Sequence, residues 1–247
     1  MQTKTAAIYN VWDGTELLIP SMNSIKSGID LFIIVYQNTS NWGEKYEPLK
    51  NLDLSGFNHI TKEYIPSQNN GTWNEKTKRN LGIQLAKDHD CTHFLHLDCD
   101  EFYQSFNFAK QEYMESGCDG SVAKIITYFK RPNLRLKSFD NYYVPFIHKL
   151  HPNTVTGMAT YPFYVDPTRR INTDEVFLIT DSMHHFSYCR IDIERKIRNS
   201  SARNNIMKSK LLEDYNNPNL GPGYFLKDYG QTLIEFEDIF GLSKIFE

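Results

Sequence analysis

Residues 92–102 read Thr92-His93-Phe94-Leu95-His96-Leu97-Asp98-Cys99-Asp100-Glu101-Phe102. A β-prone, apolar run with Phe94, Leu95 and Leu97 ends in three carboxylates within four positions, the pattern of a buried strand that surfaces at a binding crevice. If the strand continued through the motif, Asp98 and Asp100 would share one face. Two hard oxygen ligands at that spacing suit Mg²⁺ or Mn²⁺, and such an ion commonly holds a phosphate-bearing substrate.

The flanking sequence supplies the rest of an α/β pattern. Residues 4–10 form a strand candidate, residues 16–29 a helix with Pro20 in its first turn, and residues 31–36 (LFIIVY) a central parallel strand that stops at Gln37-Asn38. A short helix is expected over 46–52 and a third strand over 58–65, followed by loop composition at 66–71. The clearest helix spans 73–89, with Leu81, Leu85 and Ala86 inward and Glu75, Lys76, Lys78 and Lys87 outward. Residues 108–116 read as a helix, 121–129 as a strand and 176–180 as a strand ending at Asp181. A polar helix follows over 192–216; the basic set Arg190, Arg195, Lys196, Arg198 and Arg203 could meet an acidic acceptor or a membrane surface, but Asp192 and Glu194 dilute it and a solvated face is the leading reading.

The chain has 247 residues, a formal charge of −3 and 15 Tyr with 16 Phe, which describes a folded protein rather than a disordered one. No basic arm calls for nucleic acid, and no apolar run reaches the roughly 20 residues of a membrane span. With no signal peptide and four irregularly spaced cysteines, the expected setting is cytoplasmic with reduced thiols.

The unit KRNLGIQLAKDHDCTHFLHLDCDEFY (residues 78–103) resembles the region around the Asp-x-Asp motif of GT-A glycosyltransferases related to family 2. MHHFSYCR (183–190) is similar to an aromatic-flanked His segment late in those enzymes. The resemblance implies a GT-A-like single α/β domain, with a central, mostly parallel mixed sheet flanked by helices and a helical C-terminal tail. Its boundaries would be 1–190 for the transferase domain (1–102 nucleotide-sugar half, 103–190 acceptor half) and 191–247 for the tail.

The resemblance also implies a sugar transfer from a nucleotide-diphosphate donor, a UDP-sugar favoured, to a hydroxyl of a glycan or lipid-linked acceptor. Asp98 and Asp100 match the metal-binding motif for Mn²⁺ or Mg²⁺, with His185 as third ligand and His184 in reserve. Tyr9, Asn10 and Asp13 match the first-strand loop around the base and ribose, and Arg79 the Arg ahead of the motif. Gln37-Asn38 stands where many relatives carry an Asp, and Cys99 is read as core packing within the sugar-nucleotide-binding motif. The family's carboxylate base has no clean equivalent; Asp181, Glu175 and Asp174 are the candidates. The rival readings are transfer to a modified DNA base, a binding protein without turnover, and a haloacid-dehalogenase-type phosphatase, whose Asp-x-Asp would stand at the first strand.

Overall fold

A computed structural model of the chain describes residues 3–67, 70–157, 161, 163–173, 175–200 and 205–247, the side chains of 205–207 excepted. In chain order its elements are β1 (Thr5–Val11), α1 (Leu18–Ile25), β2 (Leu31–Tyr36), β3 (His59–Glu63), α2 (Gly71–Asp88), β4 (His93–Asp98), β5 (Glu101–Tyr103) and α3 (Phe106–Ser116). There follow β6 (Gly120–Phe129), β7 (Leu134–Leu136), β8 (Val144–Lys149), β9 (Val176–Tyr188), α4 (Ile193–Asn199), α5 (Asn205–Asn216), β10 (Phe225–Leu226), β11 (Gln231–Glu235) and α6 (Ser243–Phe246).

The sheet runs β10-β11-β7-β6-β8-β4-β1-β2-β3, with β9 beside β6 and β5 beside β9. The block β3-β2-β1-β4 is parallel, and β8 joins β4 antiparallel. Strand alternation explains the two covered faces. Ala7, Tyr9 and Val11 of β1 pack with Leu18, Met22 and Ile25 of α1 and with Phe106, Ala109 and Tyr113 of α3. Ala6 and Ile8, the intervening positions, pack with Ile83 and Ala86 of α2. Gly82 lets α2 sit close, since a Cβ there would collide with Ile8 Cγ2.

Several expectations are corrected. Residues 46–52 form turns rather than a helix, and the polar helix over 192–216 is two shorter helices in the described residues. The strand expected over 176–180 runs on to Tyr188, because β6 and β5 pair with it through both histidines. The tail is not only helical: β11 pairs with β7 through Leu233 and Leu136, and Leu242 is buried against Phe102 and Phe186. Those apolar positions bind the tail into the sheet and core. Among the described residues, no helix is long and apolar enough to cross a membrane.

Candidate active site

The chain runs outward from β1 through β2 to β3, then returns to place β4 on the other side of β1. Such a reversal opens a crevice at the carboxyl ends of the strands. In this register Asn10 of β1 lies beside Asp98 of β4, so the motif stands at that crevice. A cavity of about 280 Å³ lies here, lined among others by Asn10, Asp13, Gln37, Arg79, Asp98, Asp100, Arg190 and Lys196.

The carboxylates are set among cations. Asp98 accepts from Arg79 Nη2 (3.1 Å) and Arg169 Nη2 (2.6 Å). Burial alone would raise its pKa, but Arg169 and Arg79 outweigh it and hold the carboxyl well below the usual range. Asp100 is paired with Arg190, and Lys196 Nζ stands 3.5 Å away. Burial opposes ionisation here too, and Arg190 and Lys196 overcome it. Glu101 receives both prongs of Arg169, at 2.7 and 2.6 Å, and its Oε2 also accepts from the Asp98 N–H. Burial pushes the Glu101 carboxyl up to about 7 against the pull of Arg169, with the Asp98 charge adding to the rise.

Local geometry explains this partition. β4 ends at Asp98, and Cys99 and Asp100 form a turn before β5. The turn breaks the alternation that would have put both aspartates on one face, and Asp98 and Asp100 take different guanidinium partners. Among the described residues, the ligand atoms that come together are those of Asp100, Glu101 and His185, all within 4.8 Å of one another. Asp98 is therefore replaced by Glu101 in the expected metal cluster. His184, the reserve ligand, takes the opposite face of β9, where its Nδ1 meets Tyr128 Oη at 2.9 Å and its ring meets Phe240. Two carboxylates and an imidazole suit a divalent ion such as Mn²⁺. Arg169 engages both oxygens of Glu101, whereas Arg190 and Lys196 both pair with Oδ2 of Asp100, so an ion held by Asp100 and His185, 3.8 Å apart, would share that carboxylate with two cations.

The other sequence-derived positions divide sharply. Asn10, with its amide oxygen turned to Arg79, accepts from Nη1 (2.9 Å) and Nε (3.2 Å) and so fixes that guanidinium. Asp13 lines the cavity, and its Oδ1 accepts from Arg195 Nε at 3.0 Å. Gln37 also lines it, its Oε1 held by Lys78 Nζ at 3.1 Å. Cys99 touches the cavity but is 2% exposed and packs in the core. Tyr9 turns to the α1 face, where its hydroxyl meets Ser21 Oγ at 2.8 Å. Asn38 points outward to Glu63.

Of the base candidates, Asp181 caps backbone N–H groups of Ser105 and Ser182, and Glu175 is solvent-exposed at the start of β9. The structure brings neither to the cavity. Asp174 lies outside the described residues, as does Arg203.

No family model matches the chain, and no curated protein does. Among solved structures, S. aureus TarS 1–349 aligns at TM-score 0.42 and 12% identity, over 86% of this chain and 70% of that one. The same TarS fragment in complex with UDP-GlcNAc aligns at 0.40 and 12%, over 86% and 71%. A mannose-1-phosphate geranyltransferase from Thermus thermophilus aligns at 0.35 and 11%, over 60% and 51%. Similarities this slight transfer neither a residue role nor an activity.

Sequence reading missed four cations of the site. Lys78, expected to face solvent, is 3% exposed because α2 turns that side toward Gln37. Arg190 and Lys196 stood in what was read as a solvated basic set, yet both reach Asp100. Gly14, at φ +74°, makes room for this: a Cβ there would lie 2.8 Å from Arg190 Cζ. Arg169 belongs to no motif. Its one local signal was Asp166 three residues earlier, whose carboxylate lies 3.2 Å from Arg169 Nε.

Proposed function

We propose that the protein is a metal-dependent glycosyltransferase that binds a nucleotide-diphosphate sugar in the 280 Å³ cavity and transfers the sugar to a hydroxyl of a glycan or lipid-linked acceptor. The observation behind this reading is a set of buried polar atoms without hydrogen-bond partners among the described residues. Trp12 Nε1, Asp13 Oδ2, and Arg190 Nε and Nη1 all belong to residues that line this cavity. Buried polar groups are rarely left unpaired, so unpaired groups gathered in one cavity point to a ligand that supplies their partners. Guanidinium N–H groups suit phosphate oxygens, and a carboxylate oxygen suits ribose hydroxyls or a ring N–H.

Lys78, Arg79, Arg190 and Lys196 give the cavity the cations that a diphosphate requires, with Asp98 orienting Arg79, Asp100 orienting Arg190 and Lys196, and Gln37 holding Lys78. Cleaving the sugar–phosphate bond leaves charge on the diphosphate, and cations already in place stabilise it as it forms. Asp100 and His185 would hold a Mn²⁺ or Mg²⁺ ion, which would supply further charge stabilisation to the same leaving group.

Thermal unfolding with UDP, GDP, CMP and dTDP, each with and without Mn²⁺, tests the reading on the native chain and on Asp100→Asn. At about a hundred times its Kd, a ligand adds roughly 2.7 kcal/mol of stability, a shift of several degrees. A metal-dependent shift with one nucleotide, lost in Asp100→Asn, is expected and identifies the donor base. No shift with any nucleotide at saturation defeats the proposal. Binding without donor hydrolysis or transfer would leave a nucleotide-sugar-binding protein.

A further inference from the structure

The nucleotide cavity opens into a second space of about 370 Å³, with which it shares Asp98, Asp166 and Lys196. That space adjoins a third, also about 370 Å³, with which it shares Tyr142, His185, Tyr188, Asp228 and Tyr229. The far end differs in chemistry from the cation-rich end. It presents tyrosine rings, the carboxylates of Asp140 and Asp228, and the amides of Asn141 and Gln231. Tyr188 and Tyr229 stand edge to face at 6.0 Å, locked by a 2.6 Å bond from Tyr229 Oη to Tyr188 Oη.

Strand register ties this end to the carboxylate motif. Glu101 of β5 lies opposite His185 of β9, and His185 lies opposite Thr127 of β6. Directly paired residues on neighbouring strands share a face, so these three make one file across the sheet. Thr127 Oγ1 then donates to Asp140 Oδ2 at 3.0 Å. The file therefore leads from the motif to a carboxylate whose other oxygen, Oδ1, has no hydrogen bond among the described residues.

We propose that the tyrosine-lined end of the groove is the acceptor subsite, that it takes an uncharged sugar ring, and that Asp140 is the catalytic residue that accepts the proton of the attacking hydroxyl. This rests on the glycosyltransferase reading above and adds the acceptor class and the base that sequence reasoning did not find. Aromatic faces pack against the C–H faces of a sugar, while carboxylates and amides bond its hydroxyls. An anionic acceptor would be set against both Asp140 and Asp228. Of those two, Asp228 faces Lys210 at 3.9 Å, whereas Asp140 accepts from Thr127, the residue paired with His185 in that file. In the step, the acceptor O–H proton passes to Asp140 and its oxygen bonds the donor anomeric carbon. The bond from that carbon to the diphosphate oxygen breaks, its electron pair leaving with the nucleoside diphosphate.

The test uses the full chain with UDP-glucose and UDP-N-acetylglucosamine as donors. Methyl β-glucoside, lactose, maltose and cellobiose are the neutral acceptors, with glucuronate as the anionic one. Mass spectrometry reads transfer, nucleotide release reads donor hydrolysis, and thermal shift reads donor binding. Asp140→Asn preserves shape and the acceptor oxygen facing Thr127, and its unfolding midpoint checks folding. The expected result is transfer to a neutral sugar in preference to glucuronate. In Asp140→Asn, kcat for transfer falls about 100-fold or more while donor binding is kept. Asp228→Asn is expected to raise the acceptor KM more than it lowers kcat. Wild-type transfer rates in folded Asp140→Asn, a preference for glucuronate, or donor hydrolysis with no transfer to any neutral sugar would overturn the proposal. Absence of a shift with any of the four nucleotides of the thermal panel would instead defeat the glycosyltransferase reading, and the acceptor assignment with it; where a base other than uracil gives the shift, the diphosphate sugars of that base replace the UDP donors.

Discussion

Arg169 and Glu101, 68 residues apart in sequence, form a two-pronged ion pair at 2.7 and 2.6 Å. Both side chains are buried, at 4% and 1% exposure, and the same guanidinium reaches Asp98 at 2.6 Å. It thus ties the loop before β9 to the end of β4 and the start of β5.

Removing one member of such a pair leaves the other charge buried without compensation, which costs about 3–5 kcal/mol. Arg169→Ala strips the partner from Glu101 and one of two guanidiniums from Asp98. Its urea midpoint should fall accordingly, and Arg169→Lys, which has no fork to offer two oxygens, should recover only part of the loss. A midpoint unchanged in Arg169→Ala would show that the pair does not hold the loop.

Gly82→Ala should destabilise by about 1–3 kcal/mol, because the new methyl would run into Ile8 Cγ2 and force α2 off the sheet. Ala is otherwise the better helix former, so propensity alone predicts the opposite sign. Equilibrium unfolding of this one variant decides between the two.

Stability should fall on acidification from about pH 6.5 toward 4. Burial pushes His148 and His184 down to about 4 and His96 lower still, so the folded state keeps them neutral while the unfolded chain takes up protons below about 6.5. The unfolded state then binds more protons, and stability rises with pH across that window. Glu101, raised to about 7, acts in the opposite direction between about 4.5 and 7, as do Asp140 and Asp181, which burial also raises, but burial lowers His93, to about 4, and His185 as well, so five histidines stand against three carboxylates. Urea midpoints at pH 7.5 and 4.5 check the sign, and an equal or higher midpoint at 4.5 would refute it.

Lys196→Ala should weaken nucleoside-diphosphate binding about tenfold, equivalent to about 1.4 kcal/mol, with little change in stability. The lysine lines the 280 Å³ cavity yet is 30% exposed and 3.5 Å from Asp100, the setting of an ion pair that adds about 0–1 kcal/mol to folding. Titration calorimetry with the nucleotide that stabilises the native chain measures the first quantity and thermal unfolding the second. Unchanged affinity would remove Lys196 from the ligand contacts.

Local pattern was enough to place the parallel half of the fold and the end of β4. LFIIVY is apolar at every position but the last because β2 is covered on both faces. Asp98 and Asp100 are legible because a carboxylate cannot end a buried strand without reaching solvent, a ligand or a cation. Such features depend on near neighbours, and a single sequence carries them.

Which charges meet those carboxylates was decided only by tertiary structure. Arg169 and Arg190 reach Glu101 and Asp100 across 68 and 90 residues, along paths set by how β9 and the segments beside it pair with β5 and β6. The same pairing gives His185 and His184 opposite faces and brings Thr127, with Asp140, into line with the motif. Residue type marks these side chains as able to bind or transfer protons, but long-range strand register determines which of them face the groove.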